Sequence, residues 1–280
     1  MYPCLDPSLI GVDCTFTEAA ALAAAHSFDG IRVDTDYLRE HSVEKYQKVL
    51  QDHELRCGSV DLPTNITAEY EQYENELAVL PEIAKHIAAV GCDRCTTYIL
   101  SYSDERPFED NFEFHQQRLE PIAEILMEHD IELGLEFLGP QTLRDGHEHE
   151  FIHTANGMLE LCSAIGTNNV GLLLDSWHWY TSGGRTEVLE RLNRDDVVDM
   201  HINDAPSGIP LNEQQDSIRR LPGATGVIDI KLFIQHLDRM GYEGPVTAEP
   251  FSDEVDKMDD ETAIARTAEA IQSALAYTND

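Results

Sequence analysis

Four short, mostly apolar runs in the second half of the chain each lead to a residue that can bind a metal ion. These residues are Glu136, Asp175, His201 and Glu249. A charged side chain at the end of a buried run costs several kcal/mol unless it is paired, and converging carboxylates repel one another. A divalent cation resolves both problems. We therefore predict one metal site formed by all four residues, with a helix cap or a salt bridge as the alternative at any single position.

Three carboxylates and one imidazole form a largely hard set of donors. Such a set favours Mn²⁺ or Mg²⁺ and also accepts Co²⁺ or Zn²⁺. We predict one divalent ion, Mn²⁺, as the cofactor. A divalent ion can stabilise the negative charge that develops when a proton is removed from a carbon beside a carbonyl group.

The elements that must position these residues follow a strand–helix rhythm. Predicted strands such as 30–34, 131–137 and 170–174 alternate with stretches whose apolar residues recur at helical spacing. Eight such units in 280 residues predict an α/β fold, a (β/α)8 TIM barrel with residues 1–280 as a single domain. The C-terminal ends of all barrel strands open on one face, where the four candidate ligands would meet. The first strand is predicted at 8–14.

An open, doubly wound α/β sheet is the competing fold. Such sheets bind dinucleotides at a glycine-rich turn after the first strand, and this chain has neither that turn nor a phosphate-binding P-loop. The barrel is therefore favoured.

The chain is strongly acidic, with 53 acidic residues, 19 basic residues and a net charge of −34. The acids are spread between periodic apolar runs, so the charge coats a folded surface rather than a disordered tail. That surface repels nucleic acid and anionic membranes. No run approaches the roughly 18 apolar residues of a membrane span, and no signal peptide is evident at the start, so we expect a cytoplasmic protein.

The same charge predicts a folded state that depends on salt. Repulsion between surface carboxylates is screened in molar salt, where the Debye length is about 3 Å, and a halophilic cytoplasm provides such conditions. We expect the melting temperature to fall as KCl is lowered from molar to millimolar concentration. A melting temperature that does not respond to KCl would contradict the halophilic interpretation.

Several segments together resemble the xylose-isomerase-like superfamily of barrels, which includes sugar isomerases and epimerases, inosose isomerases and dehydratases, and endonuclease IV. The segments are Leu135-Glu-Phe-Leu-Gly-Pro140, Leu174-Asp-Ser-Trp-His178, His201-Ile-Asn-Asp204, Arg220-Leu-Pro-Gly223 with Gly226-Val-Ile-Asp229, and Glu249-Pro-Phe251. The runs around Asp175 and His201 look closest to those of inosose isomerases.

The resemblance implies a role for each of these residues. The four candidate ligands would hold one ion, and Glu136 and Glu249 would also act as acid and base on either side of the substrate. The predicted substrate contacts are His178, Arg220, Trp177 and Asp204.

The activity that the resemblance implies is metal-dependent isomerisation or epimerisation of a small keto-polyol or sugar, of inosose type, through an enediolate. The alternative is a dehydratase, in which a buried acid expels a hydroxyl group from a related substrate. Barrels of this superfamily are often dimers or tetramers, so a homo-oligomer is implied as well. A barrel that only binds its ligand is disfavoured by the complete set of metal ligands.

An endonuclease IV-like nuclease is the alternative from another functional class. It would need a histidine-rich, three-metal cluster supplied in part by earlier strands. Here the third and fourth strands lead into Asp61-Leu-Pro63 and Leu100-Ser-Tyr102, and Asp229-Ile-Lys231 stands where an Asp-x-His pair is expected. The missing histidines disfavour the nuclease.

Two further motifs carry weaker signals. His149-Glu-Phe-Ile-His153 matches the metalloprotease pattern, which requires a helix to place both histidines on one face. Gly146 before it and a helix cap at Thr154 after it predict a loop instead. The Cys92-Asp-Arg-Cys95 pair has no second pair to complete a zinc site, so we interpret its thiols as structural.

Overall fold

The computed structural model describes residues 1–279, and at its centre lies a parallel β-sheet of nine strand segments. The strands are β1 (Tyr2–Leu5), β2 (Gly30–Ile31), β3 (Arg56–Cys57), β4 (Val60–Asp61), β5 (Arg94–Ile99), β6 (Tyr102–Ser103), β7 (Glu132–Phe137), β8 (His149–Glu150), β9 (Val170–Asp175), β10 (Val197–Ile202) and β11 (Pro245–Ala248). Their order in the sheet is β3-β2-β1-β11-β10-β9-β7-β5-β4, and β6 and β8 form a separate antiparallel pair.

The barrel closes at its third strand, which is interrupted at two residues. Its first segment, β3, pairs with β2, and its second, β4, pairs with β5. The interruption includes Gly58, where an added Cβ would lie 2.4 Å from the Sγ atom of Cys4. A side chain does not fit at this close approach. The (β/α)8 fold predicted from the strand–helix rhythm is confirmed.

Helices surround the barrel and connect its strands. They are α1 (Phe16–Ala25), α2 (Thr35–Glu40), α3 (Val43–Asp52), α4 (Tyr70–Ala89), α5 (Phe108–Met127), α6 (Gln141–Arg144), α7 (Ala155–Ile165), α8 (Ser176–Thr181), α9 (Thr186–Leu189), α10 (Ile230–Arg239) and α11 (Asp260–Leu275). Thr15 and Glu18 form a capping box at the start of α1, and Thr154 caps α7 as predicted. Within residues 1–279 no helix combines the length and the apolar character needed to cross a membrane.

The prediction for the first strand was wrong. The strand is Tyr2–Leu5, and residues 8–10 form a single 3₁₀ turn. All four residues of β1 are buried because it lies between β2 and β11. A buried strand of four residues shows no alternation, and Pro3 argues against a central strand. The apolar residues after Pro7 therefore looked like the better candidate.

The register of the sheet brings the strand ends to one level. Asp175 at the end of β9 is paired with His201 in β10, and His201 is paired with Thr247 in β11. On the other side, Glu136 in β7 is paired with Tyr98 in β5. Paired residues of parallel strands project from the same face, so these side chains lie around the C-terminal mouth of the barrel.

Candidate active site

The four predicted metal ligands meet at the C-terminal mouth of the barrel. One donor atom from each of Glu136, Asp175, His201 and Glu249 lies within 4.8 Å of the corresponding atoms of the other three. All four side chains are buried. A strand end supplies each of them: β7, β9 and β10 carry the first three, and Glu249 directly follows β11.

The polar atoms in this cluster fit a divalent cation. Among the atoms of residues 1–279, Glu136 Oε1 and both ring nitrogens of His201 are buried without a hydrogen-bond partner. Buried polar atoms in proteins nearly always have a hydrogen-bond partner. Three buried oxygen and nitrogen atoms without such a partner, all in one cluster, therefore indicate a site that binds a cation. Three carboxylates and an imidazole match the preferences of Mn²⁺, Mg²⁺, Co²⁺ or Zn²⁺.

Asn203 links two of the candidate ligands. Its Nδ2 group donates to Asp175 Oδ1 and Oδ2 at 3.1 and 2.9 Å, and its Oδ1 atom accepts the backbone N–H of Glu249 at 2.9 Å. Asn203 is fully buried and follows β10 by one residue. It therefore fixes the orientation of Asp175 relative to Glu249, as outer-shell partners do in metal sites.

Arg219 lies within the cluster, although no sequence signal singled it out. Its Nη1 group donates to Asp175 Oδ2 at 3.1 Å and to Glu249 Oε2 at 2.6 Å, and its side chain is 1% exposed. Its Nη2 group donates to Asp216 at 3.0 Å. The long loop after β10 thus brings a fixed positive charge and a further carboxylate to the site.

The two glutamates of the cluster are driven to opposite protonation states. Burial, and then the charges of Glu249 and Asp175, raise the pKa of Glu136 well above its ordinary value. Burial also opposes the ionised form of Glu249, but Arg219 and His201 outweigh it and hold the pKa of Glu249 well below its ordinary value. The cluster thus favours the protonated form of Glu136 and the ionised form of Glu249, which is the arrangement of an acid and a base.

Asp175 and His201 are also perturbed. Burial raises the pKa of Asp175 to about 7, even though Arg219 pulls it downward. Burial disfavours the charged form of His201, but the carboxylates of Glu249 and Glu136 outweigh burial and raise its pKa to about 10. His201 Nδ1 lies 3.5 Å from Glu249 Oε2, a contact that is electrostatic but too long for a good hydrogen bond.

His178 faces the cluster from α8 and is fully buried. Its Nδ1 atom accepts the backbone N–H of Gly139 at 3.1 Å. Burial, and then the charge of Arg219, lower the pKa of His178 well below its ordinary value, so the ring is neutral and carries its proton on Nε2. That nitrogen lies 3.8 Å from Glu136 Oε1 and 3.4 Å from Arg219 Nη2. The predicted substrate-facing donor is therefore placed at the cluster.

Trp177 lies behind the cluster rather than in its opening. Its indole N–H donates to Asp216 Oδ1 at 3.2 Å, and its ring centroid is 5.5 Å from the guanidinium carbon of Arg219. The side chain is fully buried. The structure thus places Trp177 where it supports Arg219 and Asp216. Phe251, with a ring centroid 4.6 Å from the same guanidinium carbon, packs against Arg219 as well.

The structure places two other predicted substrate contacts outside the cluster. The guanidinium group of Arg220 donates to the backbone oxygen of Arg219 at 2.7 Å, and the backbone of Arg220 pairs with that of Asp204. Arg219, its neighbour, is the one that points inward. Two adjacent arginines in an aperiodic loop carry no sequence signal that tells which of them is buried.

Asp204 holds the loop after β10 instead of facing the opening. Its fully buried carboxylate accepts hydrogen bonds of 2.7–3.0 Å from four backbone N–H groups. The donors are Ala205, Thr225, Gly226 and Ile228. Both oxygens are used, so Asp204 sets the path of the loop that carries Asp216 and Arg219.

We expect Asp204→Asn to lower the free energy of unfolding by about 2–4 kcal/mol, because an amide loses two charge-assisted acceptors and buries an NH2 group against backbone donors. Chemical denaturation at constant salt measures the change. Asp253→Asn is the matched control, since that side chain is 94% exposed and the substitution removes the same charge. Equal stability of the two variants would contradict the anchoring role.

The metalloprotease-like run adopts the non-helical structure predicted for it. His149 and Glu150 form the short strand β8, and His153 precedes the cap of α7. The Nδ1 atom of His153 contacts the backbone oxygen of Phe151 at 2.8 Å. The cysteines at 92 and 95 are free and buried, in keeping with structural thiols.

The fold and site define a class of barrel, and comparison with known proteins identifies it. The sequence model of the xylose isomerase-like TIM barrel family matches residues 20–274, and the chain belongs to this family. An inosose isomerase from Bacillus velezensis is 22% identical over 260 residues, which cover 91% of this chain and 90% of the relative.

Two solved structures resemble the whole chain. A xylose isomerase domain protein from Alicyclobacillus acidocaldarius is 28% identical, with a TM-score of 0.91 and full coverage of both chains. A crystal structure of the IOLI protein with a bound zinc atom has a TM-score of 0.82 at 21% identity, covering 99% of this chain and 98% of the other. The family and the inosose isomerase relative support an enzyme of the sugar isomerase or epimerase type.

Proposed function

We propose that this protein is a divalent-metal-dependent isomerase or epimerase of a small keto-polyol of inosose type. The observation that carries the proposal is the buried cluster of four metal donors, two of them glutamates, at the C-terminal mouth of the barrel. The inosose isomerase relative supports the substrate class. The acidic surface supports a cytoplasmic, salt-adapted enzyme.

The metal would be held by Glu136, Asp175, His201 and Glu249. When bound, it would supply electrophilic stabilisation of the negative charge that develops on the substrate oxygens. The donor set and the likeness to a zinc-containing structure support a divalent ion, and the hard carboxylates favour Mn²⁺.

The protein's own groups supply proton transfer. Glu249, ionised beside Arg219, is the base that removes the proton from the carbon next to the carbonyl. Glu136, held protonated by burial, is the acid that delivers a proton to the neighbouring carbon or to the opposite face of the same carbon. Delivery to the former carbonyl carbon, with transfer of the adjacent hydroxyl proton to the former carbonyl oxygen, isomerises the substrate. Delivery to the opposite face of the original carbon epimerises it. His178 Nε2–H donates to a substrate oxygen and excludes water from that side.

Proton exchange tests this function directly. The Mn²⁺-supplemented protein is incubated in D₂O at high KCl with a panel of keto-inositols and ketoses, and the products are followed by NMR. We expect deuterium at the carbon beside the carbonyl, together with a new isomer. Loss of water from the substrate would identify the dehydratase instead, and cleavage of abasic DNA in a parallel assay would identify the nuclease. Absence of exchange with every compound would contradict the proposal.

A further inference from the structure

A second group of polar side chains lies across the barrel mouth from the metal cluster. Arg32, one residue past β2, donates from Nη2 to the hydroxyl of Thr96 in β5 at 3.0 Å. Those strands are separated in the sheet by β3 and β4, so the contact crosses the barrel interior. Thr96 therefore points inward, and so does Asp61, which is paired with it in the sheet.

Alternation along β5 brings an aromatic ring to the same mouth. Tyr98 lies two residues beyond the inward-pointing Thr96 and is paired with Glu136 in β7. It is 59% exposed, although it belongs to a central strand. The side chain of Asp61 is 85% exposed. We call Asp6, Arg32, Asp61 and Tyr98 the distal wall, since they line the part of the barrel mouth that extends from beside Glu136, at Tyr98, to the side opposite the metal cluster.

Protein acceptors contact all three guanidinium nitrogens of Arg32, the arginine of the distal wall. Its Nε group pairs with Asp6 Oδ2 at 3.1 Å, its Nη1 group donates to Ser59 Oγ at 2.8 Å, and its Nη2 group contacts both Asp61 and Thr96. Asp6 is held in turn by the backbone N–H and hydroxyl of Ser8, at 3.0 and 2.7 Å. This network fixes Asp61 at the opening through its Oδ1 atom, and within residues 1–279 its Oδ2 atom has no hydrogen-bond donor.

Arg219, on the opposite side, is contacted at all three guanidinium nitrogens in the same way, by Asp175, Glu249 and Asp216. The carboxylates around the mouth are those of Asp6, Asp61, Glu136, Asp175, Asp216 and Glu249. Six acidic side chains thus face two arginines, so the mouth has more acidic than basic groups. Every guanidinium nitrogen of both arginines already contacts a protein acceptor, so neither arginine presents a free pair of nitrogens for two-point recognition of a phosphate group.

We propose that the distal wall is the second half of the substrate site, and that it selects an uncharged polyol over a phosphorylated one. The inference rests on the proposed function, which places the reacting carbons at the metal cluster. Asp61 accepts hydrogen bonds from hydroxyl groups at the far end of the substrate, and Tyr98 packs against a carbon face of its ring. A phosphate group at the far end of the substrate would be repelled by the carboxylates of the distal wall, and the guanidinium group of Arg32 is already engaged by protein acceptors.

Calorimetry with the Mn²⁺-loaded protein tests the distal wall, using myo-inositol, D-fructose and an inositol monophosphate as probes. We expect wild type to bind a neutral polyol and to bind the phosphate at least tenfold more weakly. Asp61→Asn should weaken binding of the neutral polyol by about tenfold, because a charge-assisted acceptor is lost. Asp61→Asn should also reduce the ratio of the affinity for the neutral polyol to the affinity for the phosphorylated probe. Asp52→Asn, on the outer helix α3, removes the same charge and should change neither.

Tyr98→Ala provides a second test that does not depend on the arginine network, and it should weaken neutral-polyol binding several-fold. Unchanged binding in both variants, failure of wild type to bind either neutral probe, or equal affinity for the phosphate would overturn the proposal. The D₂O exchange assay on the same samples separates the two hypotheses. If wild type catalyses exchange but the variants bind the neutral polyol as tightly as wild type, only the distal-wall proposal is contradicted. If the variants bind the neutral polyol more weakly but wild type catalyses no exchange, only the proposed reaction is contradicted.

Discussion

Glu249→Gln should lower turnover by about 10³–10⁴-fold, near the upper limit of what a positioned general base contributes. Glutamine has nearly the same shape and cannot accept the proton. The pKa of Glu249 is held well below its ordinary value by Arg219 and His201, in spite of its burial. It is therefore the one carboxylate of the acid–base pair that is ionised and able to act as a base. The rate of deuterium incorporation into the active keto-polyol measures the effect.

Two controls accompany this variant. Glu254→Gln changes an exposed glutamate in the loop after the same strand and should leave the rate unchanged. Metal analysis of the Glu249→Gln protein shows whether the loss arises from chemistry or from an empty site. Substantial residual exchange in a metal-replete Glu249→Gln protein would remove Glu249 from the base role.

Removal of the divalent ion should abolish activity and expose the repulsion within the cluster. We expect chelation to eliminate exchange and addition of Mn²⁺ to restore it. Mn²⁺ at about a thousand times its dissociation constant should stabilise the fold by about 4 kcal/mol, as expected for a ligand that binds only the native state. Thermal unfolding with and without Mn²⁺ measures this stabilisation.

His201→Ala should remove most of the stabilisation by Mn²⁺, because an unpaired imidazole of the cluster is lost. His86→Ala, on the outer helix α4, is the matched control and should respond to Mn²⁺ as wild type does. Full activity after exhaustive chelation, or equal stabilisation of both variants, would show that the four residues do not form a metal site.

Binding of Mn²⁺ should strengthen as pH rises. A cation displaces protons from the groups that bind it, so protons held by Asp175 and His201 in the metal-free cluster must leave on binding. The raised pKa values of about 7 for Asp175 and about 10 for His201 mean that such protons are present near neutrality. Each released proton adds about a tenfold gain in affinity per pH unit. Calorimetry in buffers of different ionisation enthalpy counts the protons, and an affinity independent of pH would contradict the shifts.

Local sequence pattern was sufficient for the barrel and for the four candidate ligands. A buried parallel strand appears as a short apolar run, and a charged residue at its end stands out because burial makes it costly. Each of the four candidate ligands could therefore be predicted from its own strand alone: Glu136, Asp175, His201 and Glu249. The parallel arrangement of the strands implied that they meet. Strand β1 was not predicted because its four residues, one of them a proline, are all buried and show no alternation of apolar and polar residues.

The residues of the long loop after β10 depended on tertiary contacts that no local pattern encodes. Four backbone N–H groups gathered by Asp204 set the path of that loop, and the path turns Arg219 inward and Arg220 outward. The sequence by itself determined the family, the fold and the candidate ligands, because strand burial is a local property. Only the tertiary structure decided which arginine neutralises the cluster, which glutamate stays ionised and which side chains face the metal cluster across the mouth. These depend on distances between residues far apart in the chain.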